Sequence, residues 1–122
     1  MKKLSTGKWG ERTAVKFLKK NKIKLIDRNY YSRFGEIDIV GYDKKNKEYV
    51  FVEVKTRKNN SFGEPYESVD KYKLRKIYKT AMYYLMENNI ENENYRFDVV
   101  SIIKDNEKDI HISHFKNIDI PD

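Results

Sequence analysis

Apolar positions along this chain recur with two different periods. Over residues 5–21, Gly7, Glu11, Ala14 and Leu18 fall at helical spacing behind a Ser or Thr able to cap the first turn, which predicts a helix. That face carries a carboxylate. Small neighbours at Gly10 and Ala14 let another element come close and enclose Glu11, whereas a merely solvated glutamate would belong with Lys16, Lys19 and Lys20. Ile23, Leu25 and Ile26 mark a strand over 22–31, a turn follows at 32–35, and a second strand runs over 36–42. The polar stretch 43–48 reads as a hairpin connection. Over 49–57 the pattern alternates, with Val50, Val52 and Val54 on one face and Phe51, Glu53 and Lys55 on the other. Gly63 and Pro65 predict a loop over 59–66, after which Ser68 caps a second helix reaching about residue 88. Leu74, Ile77, Ala81 and Leu85 form its core stripe, and its other faces hold Lys71, Lys73, Arg75, Lys76 and Lys79. A polar linker over 88–94 precedes a final hairpin of 95–103 with 109–115.

The order helix, three strands, helix, two strands, without an internal repeat, predicts an α/β sandwich around a mixed sheet. A length of 122 residues suits a single domain over 1–122, large enough for a real core. Hydrophobic residues make up 39% and charged residues 37%, so the expected globule has a highly charged surface. No apolar run is long enough to cross a bilayer, and the Met-Lys-Lys start leads into Leu4, Ser5, Thr6 and Gly7 rather than a signal core. Cytoplasmic residence and no membrane partner are the resulting expectations. Zero cysteines exclude disulfides, thiolate metal sites and cysteine nucleophiles, leaving oxygen and nitrogen chemistry. A net charge of +7 favours a polyanionic partner, nucleic acid first. Richness in Lys, Asn, Ile and Tyr throughout the chain explains that charge equally well, so charge alone does not decide.

The residues in the strands do more. A period of two places Glu53 and Lys55 on one face, with Val54 turned inward. In the preceding strand Ile37 and Ile39 are expected to share a face with Asp38 on the other, and pairing through the hairpin brings Asp38 beside Glu53. Two such carboxylates repel by roughly 4 kcal/mol at an effective dielectric near 20. A divalent cation relieves that. Mg²⁺ takes hard oxygen ligands and keeps several waters, so Asp38, Glu53 and the main-chain carbonyl of Val54 make a reasonable protein share, with Glu11 available to complete the pocket. Lys55 could then orient a water or stabilise charge on a phosphate under attack, a combination suited to phosphodiester hydrolysis. Each piece also has an ordinary explanation: Glu-x-Lys is common on a solvated strand, and Asp is common near a turn. The combination is sharper, since Asp38 and Glu-x-Lys occupy successive strands with a helical Glu11 nearby.

Other residues carry weaker signals. Glu36 is placed on the Asp38 side of its strand, as a group holding water near the site or as a strand-end charge. Arg12, Arg57, Lys73 and Arg75 are candidate phosphate contacts, against a plain solvated reading for the helical ones. Asp98 reads as a structural hydrogen-bonding group, and His111 and His114 as surface or edge histidines. Trp9, Tyr30 and Tyr31 suit stacking on exposed bases, although packing is the commoner use of an aromatic in so small a core.

Gly10-Glu11-x-x-Ala14, Arg28-Asn29, Gly35-Glu36-Ile37-Asp38, Phe51-Val52-Glu53-Val54-Lys55-Thr56-Arg57, Phe62-Gly63-x-Pro65, Lys73 and Arg96-Phe97-Asp98-Val99-Val100 occur in this order. Together they resemble the YraN-type family of small bacterial endonuclease-like proteins, over nearly the whole chain. That family is similar to the Holliday-junction resolvase branch of the PD-(D/E)xK nucleases; here Ile37 stands where the motif's proline would precede Asp38, at a position that varies in the superfamily. The resemblance implies a restriction-endonuclease-like αβββαβ core, a mixed central sheet flanked by helices. It also implies Mg²⁺, with Mn²⁺ as a substitute, held by Asp38 and Glu53, catalysis by Lys55, and a supporting carboxylate at Glu11. The expectation is a DNA endonuclease acting at branched or junction structures, with a homodimer required for symmetric cutting of two strands. The alternatives are a non-catalytic nucleic-acid- or protein-binding module on the same fold, and an RNA-processing nuclease.

Overall fold

A computed structural model describes residues 6–58, 70–105 and 109–120. Its elements are α1 (Thr6–Lys20), β1 (Ile23–Ser32), β2 (Gly35–Asp43), β3 (Glu48–Arg57), α2 (Lys71–Glu87), β4 (Asn94–Lys104) and β5 (Ile110–Phe115). The strands form one sheet in the order β1-β2-β3-β4-β5. Pairing is antiparallel except between β3 and β4, and α2 lies in the crossover that two parallel neighbours require. This mixed sheet with two helices agrees with the αβββαβ nuclease-like core, to which β5 adds an edge. Among the described residues no helix is long and apolar enough to cross a membrane.

Each helix covers one face. Ala14, Val15 and Leu18 of α1 pack with Ile23, Ile39, Val50, Val52, Val100 and Ile102. Ile77, Ala81 and Tyr84 of α2 pack with Ile37, Val40, Phe51 and Phe97. The alternation expected in β3 is therefore observed, Val50 and Val52 facing α1 and Phe51 facing α2. Gly10 sets the seat of α1: a Cβ there would overlap Thr56 Oγ1, so only the absent side chain lets the helix lie this close to β3.

Two details differ from expectation. The second helix is capped by Asp70, whose side chain accepts from Lys73 N at 2.7 Å, while Ser68 and the 59–66 loop lie outside the described residues. Ser5, offered as a cap of α1, also lies outside them, and Thr6 is already the first residue of that helix. Ile37 and Ile39 do not share a face: Ile37 belongs to the core under α2 and Ile39 to the core under α1. The cause is local. The β2–β3 register runs only from Ile39↔Val52 to Asp43↔Glu48, and across from Asp38 on β1, Asn29 takes a left-handed φ of 52°. A strict period of two fails at this irregularity.

Far along the sheet, a buried charge network ties β2, β3, β4 and the chain after β5 together. The Arg96 guanidinium bonds Asp43 and Glu48 at 2.7 Å each and Asp98 at 3.0 Å. Asp98 also bonds His114 Nε2 at 2.7 Å and accepts from Asn117 N at 3.0 Å. Burial raises the Asp98 carboxyl, but His114 and Arg96 outweigh it and hold the group below its ordinary value. Asp98 is thus the structural group expected. His114 does lie on an edge strand, β5, but not at the surface: its side chain is 9% exposed and its ring meets Phe17 edge-on. His111 does sit at the surface, 3.1 Å from Asp105.

Candidate active site

Where β2 stops pairing with β3, the Asp38 side chain takes over. Asp38 Oδ2 accepts a hydrogen bond from Val54 N at 2.8 Å, so the carboxylate satisfies a donor that a longer ladder would have used. Burial, followed by the Glu53 carboxylate, pushes the Asp38 carboxyl up to about 7, and the Val54 bond only partly opposes them. The repulsion expected between these two acids is present.

Glu53 is buried, and its Oε1 lies 2.7 Å from Lys73 Nζ and 3.8 Å from Lys55 Nζ. Two ammonium groups thus crowd one carboxylate. Lys55 is lowered from its ordinary value by burial and by the adjacent Lys73, with Glu53 and Asp38 offsetting part of the loss. Burial alone would lower Lys73 too, but its bond to Glu53 wins and raises it. Lys73, expected as a phosphate contact, is therefore brought into the carboxylate cluster itself, its ammonium reaching Glu53 of β3 from the first turn of α2.

Glu11 lines the cleft that holds Asp38, a space of about 940 Å³ that also includes Arg12. Its carboxylate is claimed by β1: Asn29 Nδ2 donates at 2.8 Å and Arg28 approaches at 3.2 Å. Sequence reasoning gave Arg28 and Asn29 no role. Their signal was only the adjacent pair of donors in a half-polar strand, the second of which adopts a left-handed conformation that Asn tolerates well. Glu53 and Lys73 line a second cleft of about 350 Å³ beside α2, and Glu36 lines both spaces. Arg57 and Arg75 line neither.

Among the described residues no three His, Cys, Asp or Glu side chains converge as a metal-binding set. The donors available are two carboxylates, Asp38 and Glu53, and the main-chain carbonyl of Val54, all hard oxygens. That set fits Mg²⁺, which accepts one or two carboxylates and keeps its waters, better than an ion that demands a full protein cage. The raised Asp38 carboxyl is the physical reason to expect a cation, since a positive charge there would let both acids ionise.

A family model described as "Uncharacterised protein family UPF0102" matches residues 10–102. The chain is 43% identical to a UPF0102 protein of Persephonella marina over 111 residues, 91% of this chain and 90% of that one. It is 45% identical to one from Fusobacterium nucleatum over 95 residues, 78% of each chain. A third, from a Sulfurihydrogenibium species, is 41% identical over 117 residues and 96% of both chains.

Proposed function

From the premise that the chain belongs to the UPF0102 family, we propose that it is a metal-dependent endonuclease hydrolysing DNA phosphodiester bonds, at branched or junction structures. The observation that carries this reading is the pair Asp38 and Glu53, forced together on adjoining strands until burial and the second acid push Asp38 up to about 7. A stable fold gains nothing from such a pair, whereas a site for a cation and a phosphate needs it. Mg²⁺, or Mn²⁺ in its place, would supply Lewis-acid polarisation of the phosphate and a more acidic water. Asp38, Glu53 and the Val54 carbonyl would hold it. Lys55 stands 3.8 Å from Glu53, placed to orient an attacking water or to hydrogen-bond the phosphate as its charge grows. Lys73 reaches the same carboxylate from α2, and Arg12 lines the adjoining cleft, where each can meet substrate phosphates.

One observation favours a non-catalytic binding module instead: Glu53 is already ion-paired with Lys73, and Glu11 is paired with Arg28 and hydrogen-bonded by Asn29. Cleavage separates the two. Labelled four-way junction, flap, linear duplex, single-stranded DNA and RNA are incubated with Mg²⁺ or Mn²⁺ and wild type, Asp38→Ala or Glu53→Ala. Cutting that disappears in both variants supports the nuclease and ranks its substrates, with preferential loss of RNA redirecting it to RNA processing. Absence of cutting, with binding unchanged by either substitution, leaves the binding module.

A further inference from the structure

Of the three aromatic residues singled out for base stacking, the structure spends two on packing. Tyr30 sits edge-on against Tyr84, 4.9 Å between centroids, and Trp9 packs on the core under α1 with the Lys104 ammonium over its ring. Tyr31 is 68% exposed. It pairs across the strands with Glu36, and its hydroxyl hydrogen-bonds the Glu36 carboxylate, so the ring is held in place while its faces stay in water. A second ring matches it. Tyr72, in the first turn of α2, is 67% exposed and carries the Lys76 ammonium 4.5 Å from its centroid.

These two rings occupy the two clefts of the candidate site. Tyr31 lines the space that contains Asp38, Arg12 and Arg28, while Tyr72 lines the space that contains Glu53, Lys73 and Lys76. Glu36, at the start of β2, lines both. Each carboxylate of the pair thus lines a cleft that also carries cations and one exposed tyrosine, and Glu36 is shared between the two clefts.

Resting on the nuclease reading above, we propose that the segment bound at this site is an unpaired nucleic-acid strand, its bases stacking on Tyr31 and Tyr72 as its backbone passes the carboxylates. The physical choice is between base faces and backbone. A duplex offers its phosphates outward and keeps its base faces inside the stack, so it would use the lysines and arginines and leave both rings idle. An unpaired strand offers both, and stacking on exposed aromatic rings is the sequence-tolerant means of holding one. Lys76 deepens the match, since an ammonium against the Tyr72 ring can meet the phosphate next to the stacked base. At a branched substrate, the strand recognised would be the one freed from pairing beside the branch.

The test measures binding without turnover, so that a failure of catalysis and a failure of this proposal are distinguishable. Fluorescence anisotropy in EDTA compares one labelled DNA strand, alone and annealed as a blunt duplex, for wild type, Tyr31→Ala, Tyr72→Ala and the Tyr→Phe versions of each. The expected result is tighter binding of the single strand by wild type and a loss of about fivefold or more for each alanine variant on that strand. The phenylalanine variants keep most of the affinity, and duplex binding does not move. Preference of the wild type for duplex overturns the proposal. So does an alanine variant that binds the single strand as wild type does, or that weakens on both forms equally.

Discussion

The Asp38 carboxylate occupies the place of a strand: its Oδ2 takes the Val54 N–H at 2.8 Å where the β2–β3 ladder has ended at Ile39↔Val52. One side chain therefore satisfies the backbone of β3 and stands against Glu53, and the two tasks differ in their need for charge. The bond asks only for an acceptor. The site asks for an anion.

That division predicts how the metal-free protein responds to pH. The Asp38 carboxyl is raised to about 7 in the fold, against about 3.9 in an unfolded chain, so between those values the folded state holds the extra proton. Stability from this site falls as pH rises from about 4 to about 7 and then levels off, by no more than about 4 kcal/mol. Asp38→Asn keeps an acceptor for Val54 and removes the charge. Urea melts in EDTA should show the variant more stable than wild type at pH 8 and close to it at pH 4, with the wild-type decline between them lost. Adding Mn²⁺ should raise the wild-type midpoint more at pH 8 than at pH 5, and leave Asp38→Asn unmoved. A wild type that gains stability relative to the variant as pH rises in EDTA would contradict the assignment.

The two lysines on Glu53 should separate by what they compete with. Lys73 lies 2.7 Å from Glu53 Oε1, the atom a cation would want, while Lys55 lies 3.8 Å away. Lys73→Met is expected to tighten Mn²⁺ binding several-fold, because it frees that oxygen. Lys55→Met should leave Mn²⁺ affinity within a small factor and lower the cleavage rate at saturating metal by roughly 10²–10³-fold, the usual loss for one transition-state donor. Titration calorimetry with Mn²⁺ reads the first effect and single-turnover cleavage the second. Weaker Mn²⁺ binding by Lys73→Met would show that the lysine supports the carboxylate rather than occupying it.

The sequence pattern made the element order and most strand limits legible, because Val50, Val52 and Phe51 sort cleanly onto two buried faces. Asp38, Glu53 and Lys55 were legible for the same reason: a charge in a run of buried apolar positions stands out. Periodicity misplaced Ile37 and Ile39, since it assumes a regular strand and the chain departs from one at Asp38. The claim of Arg28 and Asn29 on Glu11, the bond of His114 to Asp98 and the contact of Lys73 with Glu53 all depend on which distant element lies opposite. No local pattern carries that information. Capping was half legible: the second helix begins two residues later than Ser68 suggests, at an Asp that bonds the third helical N–H.

The carboxylates of the Arg96 network should behave in the opposite way to those of the site. Asp98 is 1% exposed and receives Arg96, His114 and Asn117, so it lacks the solvent that would relieve a lost partner. Asp98→Ala leaves the Arg96 guanidinium buried with fewer partners and is expected to cost about 3–5 kcal/mol. Asp38→Asn should stabilise the metal-free protein at pH 8, as argued above. Thermal melts of the two variants in EDTA at that pH should therefore move in opposite directions. Where Asp98→Ala remains folded, its cleavage should match wild type, because Asp98 lines neither cleft. Loss of cutting from a folded Asp98→Ala protein would give that carboxylate a catalytic role.

Gly10 offers a test of how the cleft is built. Its missing Cβ lets α1 approach Thr56 of β3, and both Thr56 and the next residue in α1, Glu11, line the space that holds Asp38. Gly10→Ala brings two opposed effects: alanine favours the helix by about 1 kcal/mol, and the new methyl overlaps Thr56 Oγ1 at a cost of about 1–3 kcal/mol. The overlap should win, giving net destabilisation and a shift of α1 away from β3. Thr56→Ala removes the atom that is struck. In that background the Gly10→Ala change should be neutral or mildly stabilising, so a double-mutant cycle should return a coupling of about 1 kcal/mol or more. The functional consequence follows from Glu11: moving α1 pulls its carboxylate from Asn29 and Arg28, so cutting by Gly10→Ala should fall and recover in the double variant. Additive stabilities, with no recovery, would mean that α1 is seated by its apolar contacts alone and that the small residue is incidental to the cleft.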